Sequence, residues 1–253
     1  MADQDLENAR IRLDNLLTQR GLAASRSRAR DVILRHGVTV DGKTLSKPGA
    51  LVDCGATIEI DDPAQAYVSR AALKLIAGLD AAGIVVRDKS CLDLGASTGG
   101  FTQVLLERGA SHVTAIDVGH GQMVKDIADH PRVTSLEGIN ARSLTSDQFS
   151  QAPQIVVSDM SFISLRMGAE PALLLASSDA QAVLLVKPQF EVGRAGIGKG
   201  GLVNDAALVD KVLRDIQAWF NALDEWQCTH LLPSPIEGGD GNQEYLLCGA
   251  RNG

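Results

Sequence analysis

Aromatic residues are scarce in this 253-residue chain: five Phe, two Trp and two Tyr, with none between Arg10 and Lys47. A nucleic-acid contact in that stretch therefore has no ring on which to stack a base. Cysteine is sparse and scattered. Cys54, Cys91, Cys228 and Cys248 form no CxxC pair, and His36, His112, His120, His130 and His230 show no ligand spacing. No metal is expected, and the thiols read as reduced, buried side chains. No apolar run approaches the roughly 18 residues of a membrane span, and the acidic first residues do not read as a signal peptide. A cytoplasmic protein without a membrane partner is expected. Excess positive charge is missing as well. The formal net charge is −7 and the pI is near 5.2, which argues against a general nucleic-acid coat.

The distribution of charge differs from its sum. From Arg10 to Lys47, nine basic residues stand against Asp14, Asp31 and Asp41. The spacing predicts a helix over Arg12–Arg20, with Leu13, Leu16 and Leu17 inward and Gly21 ending it. A second helix opens at Ala24–Arg30 with Ser25 as N-cap, turns Val32 and Ile33 inward and closes at Gly37. Asp41-Gly42 between Val38–Val40 and Thr44–Leu45 is a hairpin signal. Lys47-Pro48-Gly49 is a turn, and Leu51–Ile60 supplies further strand. Arg20, Arg26, Arg28, Arg30 and Arg35 cluster on and before the second helix, where guanidinium forks and helix N–H groups suit phosphate. Without aromatics, this favours recognition of folded RNA by shape.

The ordered run Arg12-Leu13-Asp14, Leu16-Leu17, Arg20-Gly21-Leu22, Ser25-Arg26-Ser27-Arg28-Ala29, Val40-Asp41-Gly42 and Lys47-Pro48-Gly49 resembles the small RNA-binding domain named after ribosomal protein S-four. The resemblance implies an α+β RNA-binding domain over residues 1–62. Arg12, Arg20, Ser25, Arg26, Arg28, Arg30 and Lys47 would face the RNA. Asp61-Asp62-Pro63 then leads into a linker at 63–66 and a second domain over 67–253.

The second domain is organised around Cys91–Gly119, which reads as strand, glycine loop, helix, strand. Ser90–Leu94 is a buried parallel strand by pattern. Gly95, Gly99 and Gly100 let the backbone turn sharply. Phe101–Arg108 is helical, Gly109 stops it, and His112–Ile116 is a strand ending in Asp117. Asp93, at the lip of the first strand, and Asp117, at the end of the second, fall where open parallel sheets bind ligands. The pattern is Asp-x-Gly-x-x-x-Gly-Gly, not GxGxxG, which suits a nucleoside with an amino-acid tail better than a dinucleotide. S-adenosylmethionine (SAM) is such a ligand, with Asp93 toward its ammonium end and Asp117 toward the ribose hydroxyls. Gly95, Ser97, Thr98, Gly99, Gly100 and Phe101 are the expected loop contacts, with Asp159 from a later strand.

Tyr67–Leu79 is predicted as the opening helix, with Ser69 and Arg70 at its start and Lys74 within it. Gly121–Asp129 reads as a helix and Val133–Leu136 as a strand. Glu137 and Asn140 lie beyond that strand, and either can meet an adenine edge. Gln154–Asp159 is a fourth strand with an acid at its end, and Met167–Ser177 a helix. Ala182–Val186 is a fifth strand, ending in Lys187-Pro188, where the proline holds Lys187 extended. Gln189–Asn204 is a glycine-rich loop, Asp205–Leu223 an amphipathic helix, and Trp226–Leu232 and Glu244–Cys248 the last strands. The alternation gives a doubly wound α/β sheet of seven strands with an antiparallel edge hairpin, the Rossmann-like arrangement of SAM-dependent methyltransferases. Gly193–Lys199 satisfies GxxxxGK, but Gly200 follows where a phosphate loop needs Ser or Thr, so nucleotide-triphosphate hydrolysis is not expected.

Lys74, Asp159, Lys187 and Glu244 bring two lysines and two acids to the ligand side. A lysine amine can take a proton from a sugar hydroxyl when its charge is disfavoured; carboxylates fix its geometry. Spacing alone would read these four as surface ion pairs, because they are far apart in the chain.

Five motifs alter that reading: Tyr67-Val68-Ser69-Arg70 with Lys74-Leu75; Leu92–Thr102; Asp159–Ser164; Val186–Glu191; and Ser234-Pro235-Ile236 with Gly241-Asn242-x-Glu244. On these, residues 67–248 resemble the FtsJ-like ribose 2′-O-methyltransferases, and nearly the whole chain is similar to the TlyA family, whose members often carry the name hemolysin. The resemblance implies a catalytic tetrad of Lys74, Asp159, Lys187 and Glu244, with Lys187 as base and the other three orienting it and the ribose. It implies SAM as cofactor, ribosomal RNA or ribosomal subunits as partner, and cytidine 2′-hydroxyls as targets; the sequence leaves the oligomeric state open, with a monomer favoured. Arg70-Ala71-Ala72 departs from the family's Arg-Gly-Gly, so two methyl groups stand where SAM or RNA would come close. Two other classes fit parts of the pattern. A non-enzymatic ribosome-assembly factor is opposed by the intact tetrad positions, and a hemolysin by the lack of a membrane segment.

Overall fold

The computed structural model describes residues 10–23, 25–193 and 196–253. The chain divides into two compact units, Met1–Ala66 and Tyr67–Gly253.

In the first unit, β1 (Arg10–Arg12) pairs antiparallel with β4 (Leu51–Asp53). Two helices, α1 (Leu13–Gln19) and α2 (Arg26–Arg35), follow β1. A hairpin of β2 (Val38–Val40) and β3 (Lys43–Leu45) comes next, with β5 (Ile58–Glu59) on the other side of β2. Both hairpin corner residues have positive φ, Asp41 at 48° and Gly42 at 76°, as a two-residue turn of this hand requires. Leu13, Leu16, Leu17, Ala29, Val32, Ile33, Val38 and Val40 form the core. Ser25 caps α2 as expected, accepting from the Arg28 N–H at 3.2 Å; Ala24 lies outside the described residues. The first helix begins at Leu13, because Arg10–Arg12 is drawn into a strand by Leu51–Asp53, a pairing that local propensity does not register.

The second unit holds a seven-stranded sheet. Its strands are β6 (Ser90–Leu94), β7 (His112–Asp117), β8 (Val133–Glu137), β9 (Ile155–Ser158), β10 (Gln181–Val186), β11 (Trp226–Pro233) and β12 (Tyr245–Arg251). Their order is β11-β12-β10-β9-β6-β7-β8. Five strands are parallel, and β12 runs antiparallel between β10 and β11. Period-two alternation explains the double winding. Ala182, Leu184 and Val186 face α6 (Leu165–Leu175) and α8 (Ala206–Ala222), packing with Ala169, Leu173, Ile216 and Phe220. Val183 and Leu185 face the other way, toward α3 (Ala72–Ala82) and α4 (Gly100–Glu107), packing with Leu75, Leu79, Phe101 and Val104.

Three helices differ from expectation. α3 starts at Ala72 because the Ser69 hydroxyl takes the Ala71 N–H at 3.2 Å in a local turn, so Ser69 and Arg70 precede the helix. α5 covers only Lys125–Ala128; Gly121 sits at φ 63° and its N–H is held by the Glu137 carboxylate. α6 begins two residues early. The segment Gln189–Asn204 is not all loop, for α7 (Pro188–Glu191) and a 3-10 turn at Lys199–Gly201 lie in it, and Arg194 and Ala195 of the GxxxxGK motif fall outside the described residues.

Candidate active site

The strand order reverses at β6, with β7 on one side and β9 on the other. The crevice outside the carboxyl ends at such a switch point is where open α/β sheets take ligands. A cavity of about 620 Å³ opens there, lined by Gly95–Thr98, Asp159, Ser161, Phe162, Lys187, Gln189 and Glu244, among others.

Four elements each deliver one charged side chain to it. Lys74 is the third residue of α3, Asp159 follows β9, Lys187 follows β10, and Glu244 precedes β12. Pro188 opens α7 at its first position, and Lys187 is its extended N-cap at φ −113°, ψ 100°. The four join in one chain. Glu244 Oε2 lies 2.5 Å from Lys74 Nζ, Lys74 Nζ is 4.0 Å from Asp159 Oδ2, and Asp159 Oδ1 is 2.6 Å from Lys187 Nζ. Lys187 Nζ also donates to Ser161 Oγ at 2.8 Å. Lys74, Lys187 and Glu244 are 7%, 8% and 2% exposed. Charges this buried persist only when paired, so the surface ion-pair reading fails. The cluster is a single network at the cavity.

The glycine loop is held by protein on its back. A Cβ at Gly95 would meet the Met160 backbone at 3.0 Å, and one at Gly100 the Ser69 side chain at 2.7 Å. Gly95 and Gly99 sit at φ 78° and 97°. Ser97, Thr98 and Phe101 line the cavity with Gly95 and Gly100. Asp117 fixes this loop: its Oδ2 accepts from the Ser97 N–H at 2.9 Å and its Oδ1 from the Gly119 N–H at 2.7 Å.

Asp93 does not stand at the open lip of its strand. Leu94 continues the strand beyond it, and α4 folds over it, so that Thr102 Oγ1 donates to its Oδ2 at 2.7 Å. Its Oδ1 is buried without a partner. Burial pushes its carboxyl up to about 7, against the lowering effect of the Thr102 bond. Asn140 Oδ1 accepts from the Arg142 N–H at 3.1 Å, and Glu137 holds Gly121; neither residue lines the cavity. Ala72 is buried in the core beside Leu75, and Ala71 stands on the cavity wall, so only one of the two extra methyl groups faces the site.

In the small unit, four of the predicted phosphate ligands serve the fold. Arg12 and Arg26 both bind the buried Asp14, at 2.9 and 3.1 Å. The Arg12 hydrogen bond, followed by that of Arg26, holds the Asp14 carboxyl at about 2 against the cost of burial. Arg20 donates to the carbonyls of Ala56 and Cys54. Arg28 donates to Asp62 Oδ2 at 3.1 Å and to the Ala64 carbonyl at 3.0 Å. Arg30 and Lys47 are exposed and enter no ion pair among the described residues. Ser25 is exposed, its oxygen engaged in the helix cap.

Residues 67–251 match the family described as FtsJ-like methyltransferase. The chain belongs to that family. Residues 11–58 match the S4 domain. The 16S/23S rRNA (cytidine-2'-O)-methyltransferase TlyA of Mycobacterium tuberculosis is 44% identical over 94% of this chain and 89% of its own. Hemolysin A of Brachyspira hyodysenteriae is 40% identical over 93% of this chain and 98% of its own. A structure solved under the name hemolysin, from Streptococcus thermophilus, is 35% identical with a TM-score of 0.75, covering 96% of this chain and 89% of that one. No helix among the described residues is long and apolar enough to cross a membrane.

Two contributors to the FtsJ-like site carried no sequence signal of their own. Ser161 and Phe162 belong to a motif, but nothing in their spacing places the hydroxyl on Lys187 or the ring in solvent. Phe162 is 92% exposed, at φ 64°, with its ring 5.3 Å from that of Phe190.

Proposed function

We propose that this FtsJ-like methyltransferase moves a methyl group from SAM to the 2′-hydroxyl of a cytidine in ribosomal RNA. The observation that carries the reading is the buried line Glu244–Lys74–Asp159–Lys187 on the wall of the switch-point cavity. The M. tuberculosis relative, an rRNA (cytidine-2'-O)-methyltransferase, supplies the substrate class.

SAM would lie along Gly95–Phe101, with Asp117 near its ribose. The fit rests on a cavity of suitable size against a loop of two positive-φ glycines. When bound, SAM supplies an electrophilic methyl group. The rest of the work falls to this chain. As the uncharged amine, Lys187 Nζ takes the proton of the 2′-hydroxyl, whose oxygen receives the methyl group. Asp159 and Ser161 aim the amine, and Lys74, braced by Glu244, holds Asp159 from the other side. Alignment of the oxygen with the methyl carbon is the larger part of the catalysis. Phe162 offers an exposed ring at the cavity rim for the target base, the stacking surface that the small unit lacks.

The test is methyl transfer to ribosomal subunits lacking the modification, with labelled SAM and mapping of 2′-O-methyl groups. Lys187→Ala should lose at least about 100-fold in rate, the span of a general base, while SAM still binds by calorimetry. Turnover within tenfold of wild type would remove Lys187 from the base role.

A further inference from the structure

The loop between β9 and α6 and the segment after β10 are tied together along their whole length. Nearest the reaction centre, Asp159 and Ser161 both hold Lys187 Nζ. Midway, Phe162 packs on Phe190. At the far end Glu191 receives two hydrogen bonds. Ser164 Oγ donates to its Oε2 at 2.8 Å, and the Leu165 N–H donates to its Oε1 at 2.6 Å. Ser164 is the N-cap residue of α6, yet its own side chain caps nothing. A carboxylate from α7 answers the first free N–H of that helix instead. Glu191 itself is outside the cavity lining.

The loop between these ties is strained. A non-glycine residue at φ 64°, as at Phe162, costs about 1–3 kcal/mol and persists only where its surroundings over-determine it. The ties at Lys187 and Glu191 are those surroundings. Released at the Glu191 end, the loop can relax Phe162 and carry Asp159 and Ser161 away from Lys187.

We propose that Glu191 is a positioning residue for methyl transfer. By clamping Ser164 and the start of α6, it keeps the Asp159–Ser164 loop in register with Lys187, so that the amine faces the substrate hydroxyl. The inference rests on the reading of Lys187 given above. Glu191 acts through the loop and touches no reacting atom.

Glu191→Ala, Glu191→Gln and Ser164→Ala test it, each by methyl transfer to unmodified ribosomal subunits, SAM calorimetry and amide hydrogen exchange. Glu191→Ala should lower kcat by about 10- to 100-fold, the order that a displacement near 1 Å costs, with KM for the subunit and Kd for SAM little changed. Glutamine keeps an acceptor for the Leu165 N–H and should recover most of the rate. Ser164→Ala removes one bond of the two and should fall between. A wild-type kcat in Glu191→Ala, a loss confined to KM, or a glutamine variant as poor as alanine would overturn the proposal. Should the alanine variant not fold, the glutamine and Ser164 variants decide it by the same measures. Exchange separates this idea from the reading beneath it. Wild-type protein that transfers no methyl group defeats the reading; an unchanged exchange rate at Leu165 in Glu191→Ala defeats the clamp, whatever the activity.

Discussion

Asp93 carries a proton at pH values where an exposed aspartate has lost it. Its carboxyl is raised from 3.8 to about 7, chiefly by burial. Between those values the folded protein keeps a proton that the unfolded chain releases. Its contribution to stability is therefore fully present below about 4, declines as pH rises, and is lost once pH passes about 7. The slope from one such group cannot exceed about 1.4 kcal/mol per pH unit. Asp93→Asn should flatten the decline of stability between pH 4 and 7 in urea titrations; an unchanged slope would mean that Asp93 is ionised in the folded state. Cys91 and Cys248 follow the same physics without a functional outcome. Burial holds both thiols up near 12, which makes them inert.

At the scale of elements, α3 must lie close to the sheet for Lys74 to reach the tetrad. Gly78 permits that approach. A Cβ there would meet Val183 Cγ1 at 2.5 Å, and Val183 is a fully buried, stiff side chain on β10. Alanine would gain about 1 kcal/mol of helix propensity, but overpacking costs about 1–3 kcal/mol. Gly78→Ala should thus lower Tm by several degrees and reduce methyl transfer, because α3 also carries Lys74. A raised Tm would show that the helix can shift without cost. The helix boundaries make a related point. The start of α8 was legible, since Asp205 caps it. The start of α6 was not, since its acceptor comes from Glu191, 26 residues away.

For the whole molecule, the internal pairing of arginines in the small unit divides two effects that composition merges. Reversing the charges of Arg30 and Lys47 together should weaken RNA binding and reduce the salt slope by about two, one for each phosphate left without its cation. Arg28→Glu should act on stability instead. It leaves Asp62, whose side chain is 1% exposed, without its arginine, with only His36 Nε2 at 3.8 Å and the Ala64 N–H at 2.9 Å still on its Oδ1, a loss of about 3 kcal/mol for a broken buried pair. Melting curves beside binding titrations at several salt concentrations would separate the two. An Arg28 variant with an unchanged Tm and a flatter slope would return that residue to the RNA surface.

Local pattern was enough for the architecture. Apolar runs at Ser90–Leu94, His112–Ile116, Gln154–Asp159 and Ala182–Val186 marked the strands, and the order of strands and helices implied double winding, because a strand covered by helices on both faces is apolar throughout. The motifs also located Lys74, Asp159, Lys187 and Glu244. Spacing could not tell whether those four would meet, since Lys74 and Glu244 are 170 positions apart. Nor could it tell which arginines face solvent and which are consumed by Asp14, Asp62 or backbone carbonyls. Those outcomes depend on which buried charge finds a partner, and a buried charge selects its partner by proximity in the folded chain. Tertiary structure alone decided them.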